Sequence, residues 1–421
     1  MKILFILGMY YPRYSANGLC CKNIVDECVA NGWKVSCVVN AFNGNETPYE
    51  LDGAKIYPIS PRLSYRLQEK AQLRLQLYPK KASALKTVAN VINKAKLLLF
   101  SWSWPYVAPL YTRRFYKKAR SLYFKEHFDV VIGVYTPIDS LYAAYKLKNK
   151  FHEIKFIPYY LDALAGGWGP IVWSKRRREK RLRKWEQKIA RKADAIISMQ
   201  SSMEYHKNYP ILDNNTSCRY FLDVPMMLSD VRCISKKSDS SKIALFAGSI
   251  SYPRRNPIPL LKIFSLVCKK VDLKLFFVGD CSNVEIFQPY IEESNGRICL
   301  LGQKTHEEVL QLEKESDFLI NIGNNNPYTI PSKIFEYMRF GKPIISTYSI
   351  DEEPSLVYLK KYGYTCFIDE RTDIKTSAEH LINFIKSNEN INIPEGFCQK
   401  TFYDSTPKAF VDTIKKILGM S

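Results

Sequence analysis

Ile330-Pro-Ser-Lys-Ile-Phe-Glu-Tyr-Met-Arg-Phe-Gly-Lys-Pro-Ile-Ile345 is the stretch from which the fold can be read. Pro331 and Ser332 are residues that open helices, Gly341 is one that closes them, and 343–346 is a short strand-like apolar run. The order predicts a helix capped by Ser332 and, after Gly341, a buried strand: one helix-to-strand step of a parallel sheet. Ile334 and Met338 lie four apart and should face a core, while Lys333 and Glu336, three apart, share a face. With Ser332 as N-cap, unpaired amides beside Lys333 would suit a phosphate.

Outward from that step the alternation continues. Strands are expected at 243–247, 274–278, 298–301, 318–322 and 343–346, with helices between them. The polar run Ser235-Lys-Lys-Ser-Asp-Ser-Ser241 has the composition of a linker. Before it the same alternation gives strands at 3–7, 35–39, 129–134, 155–159 and 195–199, and a first helix from about Asn17 to Asn31, ended by Gly32. The reading is an α/β protein of two doubly wound, Rossmann-like domains, 1–235 and 236–405, with a ligand cleft between them. A last helix over 406–421 is expected to pack back on the first domain.

The chain has 421 residues, 46% hydrophobic and 24% charged, which excludes a disordered or collagen-like protein. Its net charge of +21 is segregated. Residues 1–200 hold 35 basic and 14 acidic side chains, leaving 27 of each beyond. A one-sided basic surface implies a polyanionic partner, nucleic acid or an anionic membrane. The 11 cysteines are scattered without a C-x-x-C pair, which fits free thiols in a reducing compartment, and the cytoplasm is the expected location. The five histidines show no ligand spacing and no D-x-D pair occurs, so no metal site and no metal cofactor is expected.

Between 51 and 125 there are 16 basic residues against Asp52 and Glu69, interleaved with Leu73, Val88, Val91, Ile92 and the run Leu97-Leu-Leu-Phe100 with Trp102 and Trp104. Charges for anionic lipid beside Trp and aliphatic side chains are what an interfacial segment needs. The alternative is a helical layer with a solvated basic face. A second cluster, Lys175-Arg-Arg-Arg-Glu-Lys-Arg-Leu-Arg-Lys184, precedes Trp185 on an expected helix. The longest apolar stretch, 97–111, is interrupted by Pro105 and Pro109 and is too short to span a bilayer.

The run P-S-K-I-F-E-Y-M-x-x-G-K-P-I-I resembles the signature of the retaining glycosyltransferases of the GT-B fold, group 1 or family 4 type, found in capsule, O-antigen and exopolysaccharide synthesis. The similarity extends to Phe246-Ala-Gly-Ser-Ile250 with Arg254-Arg-Asn-Pro257, to Val278-Gly-Asp280, to Leu301-Gly302 with His306-Glu-Glu308, and more loosely to the N-terminal strand, Tyr11-Pro12 and Asn17-Gly18. The resemblance implies a metal-independent transferase of hexosyl type, needing no cofactor. It would move a sugar with retention from a nucleotide-sugar donor to a lipid-linked or oligosaccharide acceptor, peripherally at the inner face of the cell membrane.

Carried over position by position, it implies that Glu336 holds the donor ribose hydroxyls, a role that suits a carboxylate. Arg255, with Arg254 beside it, would clamp the diphosphate and stabilise the leaving group, with Lys333 and the amides after Pro331, Ser332 among them, supplementing it. Gly248, and Gly18 from the other domain, would let backbone approach the phosphates. One departure stands out: Tyr328 occupies the place of the family's first glutamate, and Asn324, Asn325, Asn326 and Tyr328 could take over the sugar contacts. Asp162, after the strand at 155–159, is a candidate for orienting an acceptor hydroxyl or for capping a helix. Two other readings are a nucleotide-sugar 2-epimerase of the same fold and, remotely, a basic nucleic-acid-binding protein. The aromatics, clustered with an apolar run rather than in a binding module, argue against a nucleic-acid partner.

Overall fold

The computed structural model describes residues 1–11, 15–74, 78–162, 164, 169–170, 172–208, 219–231, 241–250, 252–253, 255–281, 283–325, 330–388 and 393–420. The chain divides into two compact units, Met1–Pro225 with Pro407–Ser421, and Met226–Thr406.

In the first unit β1 (Lys2–Ile6), β2 (Lys34–Asn40), β3 (Tyr49–Leu51), β4 (Ala54–Ile59), β5 (Val130–Tyr135), β6 (Lys155–Tyr160), β7 (Ile196–Met199) and β8 (Arg219–Leu222) form one sheet. Its order is β3-β4-β2-β1-β5-β6-β7-β8, parallel except for the β3–β4 pair. The helices are α1 (Ala16–Ala30), α2 (Leu63–Arg74), α3 (Pro79–Leu99), α4 (Pro109–Glu126), α5 (Ile138–Lys150), α6 (Lys175–Ala190) and α7 (Met203–Asn208). Ile3, Leu4, Phe5 and Ile6 are all fully buried in succession, because helices cover both faces of a parallel sheet. Ser15 caps α1, accepting from Gly18 N–H at 3.0 Å.

The second unit repeats the plan with β9 (Lys242–Ala247), β10 (Leu273–Val278), β11 (Ile298–Gly302), β12 (Phe318–Ile322), β13 (Ile344–Tyr348) and β14 (Thr365–Asp369), all parallel, in the order β11-β10-β9-β12-β13-β14. That is a dinucleotide-fold strand order, two halves wound outward from β9 and β12. Its helices are α8 (Ile258–Val267), α9 (Gln288–Glu293), α10 (His306–Glu315), α11 (Lys333–Met338), α12 (Ser355–Tyr362), α13 (Ile374–Ser387) and α14 (Phe397–Thr401). The last helix, α15 (Pro407–Leu418), returns to the first unit and packs on α1, with Phe410 edge-on to Tyr159 at 4.9 Å and Lys415 Nζ donating to Asn31 Oδ1 at 2.9 Å.

Beyond the added strands β3, β4, β8 and β14, the unit boundary and one tryptophan differ from the sequence reading. The units part after Pro225 rather than at 235, because Val231 N–H donates to the Arg339 carbonyl at 2.9 Å, Arg339 Nε to Ser229 O at 3.0 Å and Met227 N–H to Ser405 O at 2.9 Å, tying 226–231 to the second unit. The polar run at 235–240 lies outside the described residues. Trp104, expected beside Trp102 at an interface, is buried and packs edge-on against Trp173 at 5.8 Å, while Trp102 stands 73% exposed.

Helix α6 sits on the first sheet through Leu182, Glu186, Ile189 and Ala190 and turns Arg176, Lys180, Lys184 and Lys188, spaced four apart, to solvent. Glu186 is buried beside Arg219 (Nη2 at 3.5 Å) and His206 (Nδ1 at 3.8 Å). Arg219, which can only donate, places Nη1 3.0 Å from His206 Nε2 and 2.8 Å from Ser198 Oγ, so His206 is neutral there with Nε2 as acceptor. Burial pushes the Glu186 carboxyl up to about 7, partly opposed by Arg219. Burial and then Arg219 drive His206 down to about 3.

Candidate functional site

β9 pairs with β10 along its whole length, but with β12 only at Ala244–Phe318 and Leu245–Leu319. The sheet therefore opens at the carboxyl ends of β9 and β12, where the strand order reverses and where open α/β sheets bind ligands. Tyr337 of α11 fills the opening. Ala247 N–H donates to its hydroxyl at 2.9 Å and the hydroxyl donates to the Ala247 carbonyl at 3.2 Å, giving that residue the bonds a continued ladder would supply.

Beyond Ala247 the pairing of β9 with β10 and of β10 with β11 runs on into the loops: Gly248 N–H donates to Val278 O and Ile250 N–H to Asp280 O on the β9 side, and Gly279 N–H to Gly302 O on the β11 side, each at 2.9 Å. The close approach falls on Gly279, whose φ is +126° and where a Cβ would lie 2.1 Å from the Gly248 carbonyl oxygen. The Gly248 N–H is thus engaged with Val278 O, so the backbone approach to phosphates expected at Gly248 would not use that amide. Positive charge at this corner comes from Arg255 instead, which donates Nη1 to Ser249 O at 3.0 Å and Nη2 to Asn324 Oδ1 at 3.4 Å. It bridges the loops that follow β9 and β12, the two lips of the opening. Behind it, buried Asn321 donates to Ser346 Oγ (2.9 Å) and Ser355 Oγ (3.2 Å), and buried Glu353 accepts from the Ser355 amide (2.9 Å) and hydroxyl.

Helix α11 is shorter and more deeply set than its spacing suggested. Ile334, Phe335, Glu336, Tyr337 and Met338 are all buried, and Ser332, though next to the helix, makes no side-chain cap. Six residues give a small dipole, so the expected anion site at its N-terminus is not a feature of this helix. Lys333 is held by two carboxyls, its Nζ 2.7 Å from Glu313 Oε1 on α10 and 2.8 Å from Glu336 Oε2, with 27% of its side chain still exposed. Burial works against ionising Glu336, but the Lys333 ammonium outweighs it and holds that carboxyl below its usual range. Glu313, fully buried, is pushed up to about 8 by burial, against the pull of Lys333 and with the help of Glu336. With both groups ionised, Glu336 Oε1 and Glu313 Oε2 have no donor among the described residues, and a proton on Glu313 is shared with Glu336, which lowers Glu336 and raises Glu313. Lys342, of the same sequence run, closes the C-terminal end of α10 by donating to the carbonyls of Glu313 (2.9 Å), Lys314 (2.6 Å) and Ser316.

The second unit thus brings Arg255, Gly248, Lys333, Ser332 and Glu336 to one end of its sheet. Arg254, Asn326 and Tyr328 lie outside the described residues. Gly18 and Asp162 belong to the first unit: Gly18 is in the first turn of α1, and Asp162 is exposed just past β6. Sequence reasoning missed Glu313, Tyr337, Gly279 and Glu353. Among the described residues no three His, Cys, Asp or Glu side chains gather as a metal site would need.

Residues 241–387 match the family model for "Glycosyl transferases group 1". The second unit is of group 1 glycosyltransferase type. Over the whole chain the architecture is the GT-B fold of solved glycosyltransferase structures. A sucrose-phosphate synthase from Thermosynechococcus elongatus superposes with a TM-score of 0.61 at 12% identity, covering 100% of both chains. The lipopolysaccharide outer core galactosyltransferase WaaB gives 0.56 at 14%, covering 99% of each. An α,α-trehalose-phosphate synthase (UDP-forming) from Burkholderia xenovorans gives 0.58 at 9%, again 99% of each. No curated protein matches the chain in sequence. Such identities establish the fold, and the match over 241–387 gives the glycosyltransferase type, with Arg255 and Glu336 both inside it.

Proposed function

We propose that the protein transfers a hexosyl unit from a nucleotide sugar, with retention and without a metal, to a lipid-linked saccharide during surface-polysaccharide synthesis, docked on an anionic membrane face. The donor reading is carried by Glu336, a buried, ionised carboxylate at the carboxyl end of the sheet, able to accept hydroxyls. Paired ribose hydroxyls are donors of the matching kind. Arg255, across the opening, would meet the diphosphate, where charge grows as the glycosidic bond breaks. Among similar structures a UDP-forming synthase and a lipopolysaccharide galactosyltransferase are compatible with such chemistry.

The membrane reading rests on where apolar surface is left bare. Of the 18 exposed large apolar side chains among the described residues, 10 fall between Leu63 and Leu110, including Val88, Val91, Leu98, Leu99 and Trp102 on or just after α3. Arg181 of α6 donates to the carbonyls of Trp102 (3.1 Å) and Trp104 (3.0 Å), joining this apolar knob to the basic helix. Cations beside bare Leu and Trp match an anionic interface. No helix among the described residues is long and apolar enough to cross a membrane. A thermal-shift screen over nucleoside diphosphates and nucleotide sugars tests the donor half, since a ligand at 100 times its Kd stabilises by about 2.7 kcal/mol. Absence of any shift overturns it. Sugar transfer to a lipid-linked saccharide, without epimer formation, tests the rest.

A further inference from the structure

The two carboxyl groups around Lys333 present a charge problem that the donor reading leaves unsolved. With Glu313, Glu336 and Lys333 all ionised, a corner in which both carboxyls are buried and only Lys333 keeps some exposure would hold a net charge of −1, and desolvating an unbalanced charge is costly. The groups facing Glu313 from its surroundings are Lys333, Glu336, Tyr337 and Arg339 on and beside α11, and the Lys342 ammonium on its backbone carbonyl. His306, at the start of α10, acts on Glu336. Arg339 donates to Ser229 O and caps α11, so it is not a second counter-ion within bonding distance. The least costly solution is one proton on one carboxyl. Glu313 has no exposed surface, whereas Glu336 retains 5%. Ionisation is therefore easier at Glu336, and the proton belongs to Glu313.

We propose that Glu313 is a positioning residue for the donor site: as a neutral acid it lets the single ammonium of Lys333 serve Glu336 as counter-ion, leaving Glu336 ionised and able to accept a hydroxyl. This rests on the donor reading of Glu336. Glu313 itself touches no substrate. It sets the charge and orientation of the residue that does, by gripping Lys333 Nζ at 2.7 Å from a different helix. The consequence is an alkaline limit. When Glu313 ionises, Lys333 is divided between two carboxylates that repel each other, and the edge of Glu336 loses its fixed geometry.

The test uses the full-length protein and three nucleoside diphosphates, UDP, GDP and ADP, following whichever binds tightest. Wild-type affinity should hold from about pH 6 to 7.5 and fall at least tenfold, roughly, by about pH 9. Glu313→Gln, permanently neutral and nearly isosteric, should lack that alkaline fall. Glu313→Ala, which also removes the grip on Lys333, should bind at least about tenfold more weakly at about pH 6.5. An alkaline fall that persists in Glu313→Gln, or wild-type affinity in Glu313→Ala, overturns the proposal.

Thermal unfolding gives a second readout that needs no ligand. The Tm of Glu313→Gln should gain on wild type between about pH 4.5 and 8 and level off above that, because over this window only wild type must take up a proton when it folds. A gap independent of pH also overturns the proposal. Should no diphosphate bind the wild type, the donor reading falls and the Tm series alone decides where the proton resides.

Discussion

The two units are built on the same doubly wound plan but keep their charge in opposite places. In the first unit the cations stand outside, along α6 and the α2–α3 region, beside bare Leu and Trp side chains. In the second, the chemically telling carboxyls Glu313 and Glu336 are buried, and the cations beside them are half-buried, Lys333 gripped by both carboxyls and Arg255 spanning two loops. An exposed charge is cheap to keep and acts at a distance on a large partner, whereas a buried one is retained only where its geometry is fixed. Net charge, read along the chain, marks the basic unit and says nothing of the site. The site is found by asking which charges the fold has taken out of water.

Substitutions can break this division. The largest effect should come from Glu336→Ala, expected to lower kcat/KM for transfer by roughly a thousandfold, the scale of leaving bound polar groups unmet in a fitted site. The fold should survive, because Glu313 remains to pair Lys333. Steady-state kinetics with a melting curve check both, and activity within threefold, roughly, of wild type would remove Glu336 from the donor site. Next, Arg255→Ala should cost about a hundredfold in kcat/KM. A rise in KM alone would mean that Arg255 binds ground-state phosphate and does not act on the leaving group. Neither change should alter vesicle binding, which is proposed for the other unit.

Much of the architecture was legible because parallel strands buried on both faces are written as unbroken apolar runs. The strands at 318–322 and 343–346 appear within two residues of β12 and β13. The short edge elements β3, β8 and β14 were not legible, since three to five half-buried residues carry no such run. Glu336 and Arg255 could be picked from a family resemblance, but the fate of Lys333 could not. Its partner Glu313 comes from another helix, and long-range ion pairs leave no spacing signal. A trace was there: Glu313 is four residues after Val309 and three after Leu310, which puts a carboxylate on the apolar stripe of α10. A charge on a core-facing stripe is worth flagging, because folding must pair or neutralise it. Tyr337 reads from sequence as one more core aromatic, and only the gap between β9 and β12 gives its hydroxyl a task.

Vesicle binding sharpens the first unit's half of the comparison. Arg177 lies 4.4 Å over the Trp173 ring, and Arg181 holds the Trp102 segment, so neither is a clean probe of surface charge. Arg176, Lys180 and Lys184 are exposed on the outer stripe of α6. Replacing all three by Ser should weaken binding to phosphatidylglycerol vesicles by roughly a hundredfold, at about 1 kcal/mol per cation, and leave nucleotide binding unchanged. Unaltered flotation at about 0.15 M salt would show that this stripe does not dock the protein.

The smallest expected effect is a flatness with a definite origin. Unfolded, Glu186 has an ordinary carboxyl and His206 an ordinary imidazole, so between about pH 4.5 and 6.5 the pair carries one proton, on the histidine. Folded, burial lifts Glu186 to about 7 and lowers His206 to about 3, so over the same window the pair again carries one proton, now on the glutamate. Folding moves the proton without taking one up, and the pair adds no slope to stability against pH. Single variants should uncover the two opposing halves. In His206→Asn only the raised Glu186 remains; its contribution is present below about pH 4.5 and lost as pH rises through about 7, so Tm should fall across the window. In Glu186→Gln only the depressed His206 remains, whose neutral form is favoured on folding. Tm should then rise with pH up to about 6.5, each slope being about 1.4 kcal/mol per pH unit at most. Parallel pH profiles in the two variants would mean that the proton does not move between these residues, and that Arg219 alone sets the charge beneath α6.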